Sequence, residues 1–160
     1  MTRIVFDEMG FRGNRSDYYD PRNSFLNDVV ERRVGIPISL SVVYIEIAEA
    51  CGRPTDAVGF PGHFLVRDRD SGTVLDPFHR GAVVGEHACR RLLAAAGIPL
   101  TRWRDDYLAA IGKLDVLIRM IANLARVYNE RGDADRVATL ASISARAQEL
   151  REAEDAARLS

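Results

Sequence analysis

The spacing of hydrophobic positions changes several times along this chain. Between Gly35 and Gly52 nearly every position is apolar: Ile36, Ile38, Leu40, Val42, Val43, Tyr44, Ile45, Ile47 and Ala48, with Glu46 and Glu49 as the charges. Such a run predicts a helix enclosed by its own protein rather than one lying on the surface. Pro37 suits the first helical turn, where a missing N–H costs no hydrogen bond. Gly52 followed by Pro54 is a stop signal. The segment is too short, and too polar at its ends, to cross a bilayer. Ile38, Val42, Ile45 and Ala48 are expected to be buried against the strands that follow.

After Gly52 the period shortens to two. Residues 56–60, 63–67 and 73–76 predict three short strands, joined by a turn at Pro61-Gly62 and a hairpin loop over 68–72. An antiparallel meander packed on a preceding helix is an α+β plan. A small helix rich in Ala and Leu follows over 86–96 and closes at Gly97. The helical period then returns with Ile111, Leu114, Leu117, Ile118, Ile121, Leu124, Ala125 and Tyr128. Gly132-Asp133 breaks it, and a second helix runs over 134–157. This divides the chain into a core at 1–100 and a helical tail at 101–160. Upstream of the central helix, residues 1–22 hold one short apolar piece (Ile4, Val5, Phe6) and then the Gly, Asn, Asp and Pro of turns. Asn23 or Ser24 is expected to cap a helix over 24–33 with Phe25, Leu26, Val29 and Val30 on one face.

Composition narrows the class. With 47% hydrophobic residues in 160, the chain is globular and long enough for one sizeable core. A formal net charge of −1 gives no reason to expect nucleic acid or an anionic membrane as partner. Cys51 and Cys89 make no CxxC and no metal spacing, and are expected to be reduced structural thiols, the first of them inside the apolar helix. The N-terminus carries no signal-peptide h-region, so a cytoplasmic protein is expected. His79 and His87 are expected at the surface, without partners. Three separated histidines with no paired carboxylate spacing do not make a zinc site, and no metal or cofactor is expected.

The candidate chemistry lies at His63 and Asp76. One opens the second strand and the other closes the third, so adjacent antiparallel strands would bring them together. A carboxylate beside an imidazole fixes its tautomer and favours the imidazolium. Each residue also has a plainer reading: a satisfied structural histidine, and an Asp-Pro turn.

Five segments in order carry a family resemblance. They are Gly10-Phe-Arg-Gly-Asn14, Tyr18-Tyr-Asp-Pro-Arg-Asn-Ser24, Glu31-Arg-Arg-Val-Gly-Ile-Pro-Ile-Ser39, Gly59-Phe-Pro-Gly-His-Phe-Leu-Val-Arg67 and Leu75-Asp-Pro-Phe78. Together they resemble the transglutaminase-like superfamily, and within it the SirB-type bacterial proteins with a tetratricopeptide-like C-terminus. The resemblance implies a transglutaminase-like (papain-like cysteine protease) core, with a buried central helix against a small antiparallel sheet and a C-terminal helical hairpin after it. It also implies an acyl-transfer triad of Cys, His and Asp, with His63 as base and Asp76 as orienter. Ile121, Leu124, Ala125, Tyr128 and Gly132 resemble one tetratricopeptide unit over 118–151, for which an ordinary helical hairpin is the alternative. Members of the subgroup carry a helical segment before Gly10 that is nearly absent here, which suggests a short version or a piece of a longer protein.

The likeness breaks at the nucleophile. Counting back from Gly52 by the superfamily's usual spacing of fifteen residues lands on Pro37. Proline offers no attacking atom, so it forms no acyl-enzyme. A helix turns about 100° and rises about 1.5 Å per residue, which puts Ser39 roughly 200° around from Pro37 and Ser41 about one turn deeper on the same face. A buried serine in that deeper position is expected to bond the carbonyl four residues back. Two readings stay open. One is a non-catalytic binding or scaffolding module for a protein or peptide partner. The other is an acyl-transfer or peptide-hydrolysing enzyme built from Ser39, His63 and Asp76.

Overall fold

In the computed structural model, which describes residues 1–159, the chain opens with a short π-helix, Arg3–Glu8, that buries Val5 and Phe6. Arg12–Gly13 (β1) pairs in parallel with Val34–Gly35 (β2). Between them lie a 3₁₀ turn, Pro21–Asn23, and a short helix α1, Leu26–Arg32. The central helix α2 spans Pro37–Ala50, with Pro at its first position and Gly52 at φ +69° just beyond its end. Five strands then build an antiparallel sheet: β3 (Thr55–Val58), β4 (Leu65–Asp68), β5 (Val74–Asp76), β6 (Ala82–Val83) and β7 (Ala110–Ile111), in the order β6-β5-β4-β3-β7. Helix α3 (Glu86–Ala95) interrupts the series, and α4 (Lys113–Glu130) and α5 (Ala134–Leu159) follow it.

Alternation along the strands sends side chains to two faces. Val58, Leu65 and Val74 pack with Cys89 and Leu93 of α3. Ala57 and Val66 face the other way, onto α2, which is why the sheet lies between the two helices. On one side of α2, Leu40, Val43, Tyr44 and Ala48 meet Val5, Phe6, Phe11 and Val29. On the other, Ile36 and Ile38 meet Ala57 and Phe64. The nearly unbroken apolar character of α2 therefore reflects contacts on both flanks.

Several sequence expectations are corrected. Ile38 and Ala48 are buried, but Val42 and Ile45 are half-buried and line a groove of about 530 Å³ with Thr55, Ala57, Val116 and Met120. The strand face is too narrow to cover this stripe of α2, and α4 roofs it incompletely. Ile45→Ala is accordingly expected to cost about 1–2 kcal/mol, against about 2–5 kcal/mol for Leu40→Ala, in denaturant unfolding. Equal losses would mean that the groove is closed in solution. In α1 only Val29 is buried; Phe25, Leu26 and Val30 are exposed because a helix of two turns offers one residue to the core. Neither Asn23 nor Ser24 caps it. Cys51 is exposed at the C-cap of α2 rather than enclosed, whereas Cys89 is buried, and burial raises its thiol's pKa.

Contacts run across residue 100. β7 adds to the sheet by pairing Ile111 with Ala57 and Ala110 with Val58. The Arg67 guanidinium donates to the Leu108 carbonyl. Helices α4 and α5 form an antiparallel hairpin: Tyr128 is buried at its turn under the Arg136 guanidinium, and at the far end Arg151 reaches Asp115 at 3.1 Å. Among the described residues no helix is long and apolar enough to cross a membrane.

Candidate functional site

Asp76 ends β5 and caps the 3₁₀ turn Pro77–His79. Its Oδ1 accepts the backbone N–H groups of Phe78 (3.0 Å) and His79 (3.2 Å). Its Oδ2 faces His63 Nε2 at 2.8 Å and His79 Nδ1 at 2.7 Å. Burial opposes the charge on this carboxyl and is the largest single influence. The hydrogen bonds and charges of His63 and then His79 together outweigh it and hold the pKa below the ordinary value. An ionised carboxylate only accepts, so both facing ring nitrogens carry a proton.

The sequence predicts His79 at the surface without a partner. Its ring is half-exposed, but its Nδ1 is committed to Asp76. Two histidines and one carboxylate thus converge, where spacing along the chain had argued against such a cluster. A hairpin brings residues 63 and 76 together, and the turn after β5 folds residue 79 back onto the same carboxylate.

His63 precedes β4 rather than opening it, and sits in the turn that Gly62 makes at φ +66°. Its ring stands edge-on to Phe78, with centroids 6.2 Å apart. Phe78 in turn lies so close to Gly13 that a Cβ there would come within 2.6 Å of the phenyl ring, so only glycine admits this packing. Tyr18 meets the same ring edge-on, also at 6.2 Å. The loop that carries Tyr18 is pinned by Asn23, which is wholly buried. Its amide donates to the carbonyls of Asp17 (2.8 Å) and Tyr18 (3.2 Å) and accepts from Asn14 (3.0 Å).

At the N-terminus of α2, Ser39 has its hydroxyl fully buried. It donates to the Asn23 carbonyl at 2.6 Å and accepts the Ile36 N–H at 3.1 Å, one half of a capping box. Ser39 ties the Asn23 loop to α2. It does not line the cleft beside His63; Pro37 and Ile38 do. Ser41 does not make the expected bond to the carbonyl four residues back, and its Oγ has no hydrogen-bond partner among the described residues.

The cleft beside His63 holds about 240 Å³ and is walled by Tyr18, Pro37, Ile38, His63, Phe64, Arg119, Asn123 and Arg126. Arg119 reaches in from α4 and donates to the carbonyls of Gly59 (3.0 Å), Phe60 (2.9 Å) and His63 (3.1 Å), fixing the turn on which His63 sits. Burial lowers its pKa. Arg126 is more exposed, with its guanidinium over the Tyr19 ring at 5.2 Å. Asn23, His79 and Arg119 escaped the sequence reading. By its sequence Asn23 reads as a helix cap, and Arg119 lies on a tail helix with no motif around it.

A profile of the transglutaminase-like superfamily matches residues 1–122. The chain is similar to a UPF0162 protein of Xylella fastidiosa (strain 9a5c), 41% identical over 146 residues, which cover 88% of this chain and 52% of that protein. It is also similar to a UPF0162 protein of Vibrio cholerae, 32% identical over 125 residues, covering 76% of this chain and 46% of the relative. F-box only protein 21 of Homo sapiens is 44% identical over 80 residues, 49% of this chain and 13% of that protein. The chain spans about half the length of these bacterial relatives. No solved structure matches it. With the profile covering the helix α2, the sheet and both members of the His63–Asp76 pair, the chain belongs to the transglutaminase-like superfamily.

Proposed function

We propose that this chain is a non-catalytic binding domain: a papain-like transglutaminase fold of the SirB type that holds a protein or peptide segment in the cleft at His63. The observation that carries this reading is Pro37 in the cleft wall beside His63, with the Ser39 hydroxyl turned into the protein and bonded to Asn23. Covalent acyl transfer needs an attacking atom within reach of the base. The cleft offers instead an imidazole, the Asn123 amide and the Arg126 guanidinium, which suit a carbonyl or carboxylate. The α4–α5 hairpin, with Tyr128 buried at its turn, fits one tetratricopeptide-like unit and supplies a second surface for the same partner.

The test uses serine- and thiol-directed acylating probes on the purified chain, followed by intact mass and peptide mapping. The expected outcome is no label on Ser39 and thiol labelling at Cys51 ahead of Cys89, because only Cys51 is exposed. Stoichiometric label on Ser39 that disappears in His63→Ala would overturn the reading and establish an acyl-transfer enzyme of Ser39, His63 and Asp76.

A further inference from the structure

We propose that His63, Asp76 and His79 form a binding site for a divalent transition-metal ion of the zinc type. The site goes beyond the binding role argued above and does not depend on it. Each of the three offers one ligand atom, and these atoms lie within 4.8 Å of one another. His63 Nε2 and His79 Nδ1 both face Asp76 Oδ2, at 2.8 and 2.7 Å. Two imidazoles and a carboxylate are the donor set of open three-ligand metal sites, and nitrogen and oxygen donors without sulfur suit zinc, cobalt and nickel.

The surroundings favour ligation. Asp76 Oδ1 is held by two backbone N–H groups, of Phe78 and His79, so the carboxylate keeps Oδ2 aimed at both rings. A bond to the outer oxygen of a ligating carboxylate is the usual way a protein orients such a ligand. His63 is held at its own carbonyl by Arg119 and against the Phe78 ring, and its side chain is 10% exposed. His79 is 43% exposed and gives an ion a way in from solvent.

Binding needs a rearrangement of the side chains. Zinc–nitrogen and zinc–oxygen bonds near 2.0–2.1 Å put tetrahedral ligand atoms about 3.3 Å apart. The nitrogen–oxygen separations of 2.8 and 2.7 Å open by about half an ångström, while the ring nitrogens, within 4.8 Å of one another, draw together; the half-exposed His79 ring is the part free to turn. Each imidazole stays neutral, keeping one proton on the ring nitrogen away from the ion; the facing nitrogen presents its lone pair, and any second proton leaves to solvent. Three protein ligands leave a fourth position for water or for a carbonyl or carboxylate of a bound segment.

The experiment titrates the untagged, chelator-treated chain with Co(II) and Zn(II) alone. One equivalent of Co(II) is expected to bind with the visible absorption of a four- or five-coordinate ion, and Zn(II) to displace it. His79→Ala removes an exposed ligand and keeps the His63–Asp76 bond; it is expected to weaken binding at least about tenfold. Zinc should raise the thermal midpoint of the wild type and not that of His79→Ala. Should His79→Ala fail to fold, His79→Phe keeps a ring of similar size without a ligand nitrogen. Cys51→Ser and His87→Ala should bind as the wild type does. Absence of stoichiometric binding, or binding that survives loss of His79 or vanishes in Cys51→Ser, would overturn the proposal.

Discussion

Asp76→Ala is expected to lower the unfolding free energy by about 3–5 kcal/mol, the cost of removing one partner from a buried charged cluster. The carboxylate is 4% exposed and accepts four N–H donors: two backbone groups and two imidazoles. Alanine leaves all four without that acceptor in a largely buried place. Separate losses of about 1–3 kcal/mol each would sum higher, but His79 can swing into solvent and recover its share. Asp76→Asn keeps the shape and one accepting oxygen and should lose less. Chemical denaturation with the three proteins side by side is the measurement.

The same group sets a pH signature. The pKa of Asp76 is lower in the folded chain than its ordinary value of 3.8, so in acid the unfolded chain binds its proton first. Stability from this carboxylate is present above the unfolded value and is lost as pH falls through the folded one. The stability gap between wild type and Asp76→Asn should therefore be widest near neutrality and shrink at pH values below the ordinary carboxyl range. A gap that widened in acid would show that Asp76 is not the charged acceptor of this cluster.

Arg119→Met should cost about 2–4 kcal/mol, because a half-buried guanidinium that satisfies three carbonyls is exchanged for a side chain that satisfies none. The carbonyls belong to Gly59, Phe60 and His63, so the loss falls on the turn that presents the imidazole. Arg119→Lys should recover only part of it, since one ammonium cannot span three acceptors as a planar fork does. The His63 imidazole resonances in NMR should also broaden or shift in Arg119→Met. A stability loss under about half a kcal/mol, the size of an ordinary surface substitution, would mean that the turn holds itself.

Local features were legible along the chain. Pro37 and Gly52 bracket α2 because one tolerates and the other terminates helical backbone, and neither property depends on distant residues. The period of two between residues 55 and 76, and the return to a helical period past residue 113, follow from how side chains leave the backbone. The expectation that Pro37 stands where the superfamily's cysteine would is likewise a matter of identity and spacing alone.

What a residue does beyond its own element came only from the tertiary structure. From the sequence Ser39 stays open as one candidate nucleophile; only packing places the Asn23 carbonyl 2.6 Å from its hydroxyl. Asn23 looked like a helix cap until the loop over 14–24 closed around it. Val42 and Ile45 carry the same hydrophobicity as their neighbours, and only the narrowness of the sheet leaves them lining a groove. His79 and Arg119 lie in stretches with no pattern of their own. Their roles are set by groups 3 and 56–60 residues away along the chain. Sequence determined the conformation and polarity of each segment, because those rest on neighbouring residues. The meeting of His63, Asp76 and His79, and the clamp of Arg119, were decided by how the segments pack, because hydrogen bonds act over a few ångströms of space without regard to distance along the chain.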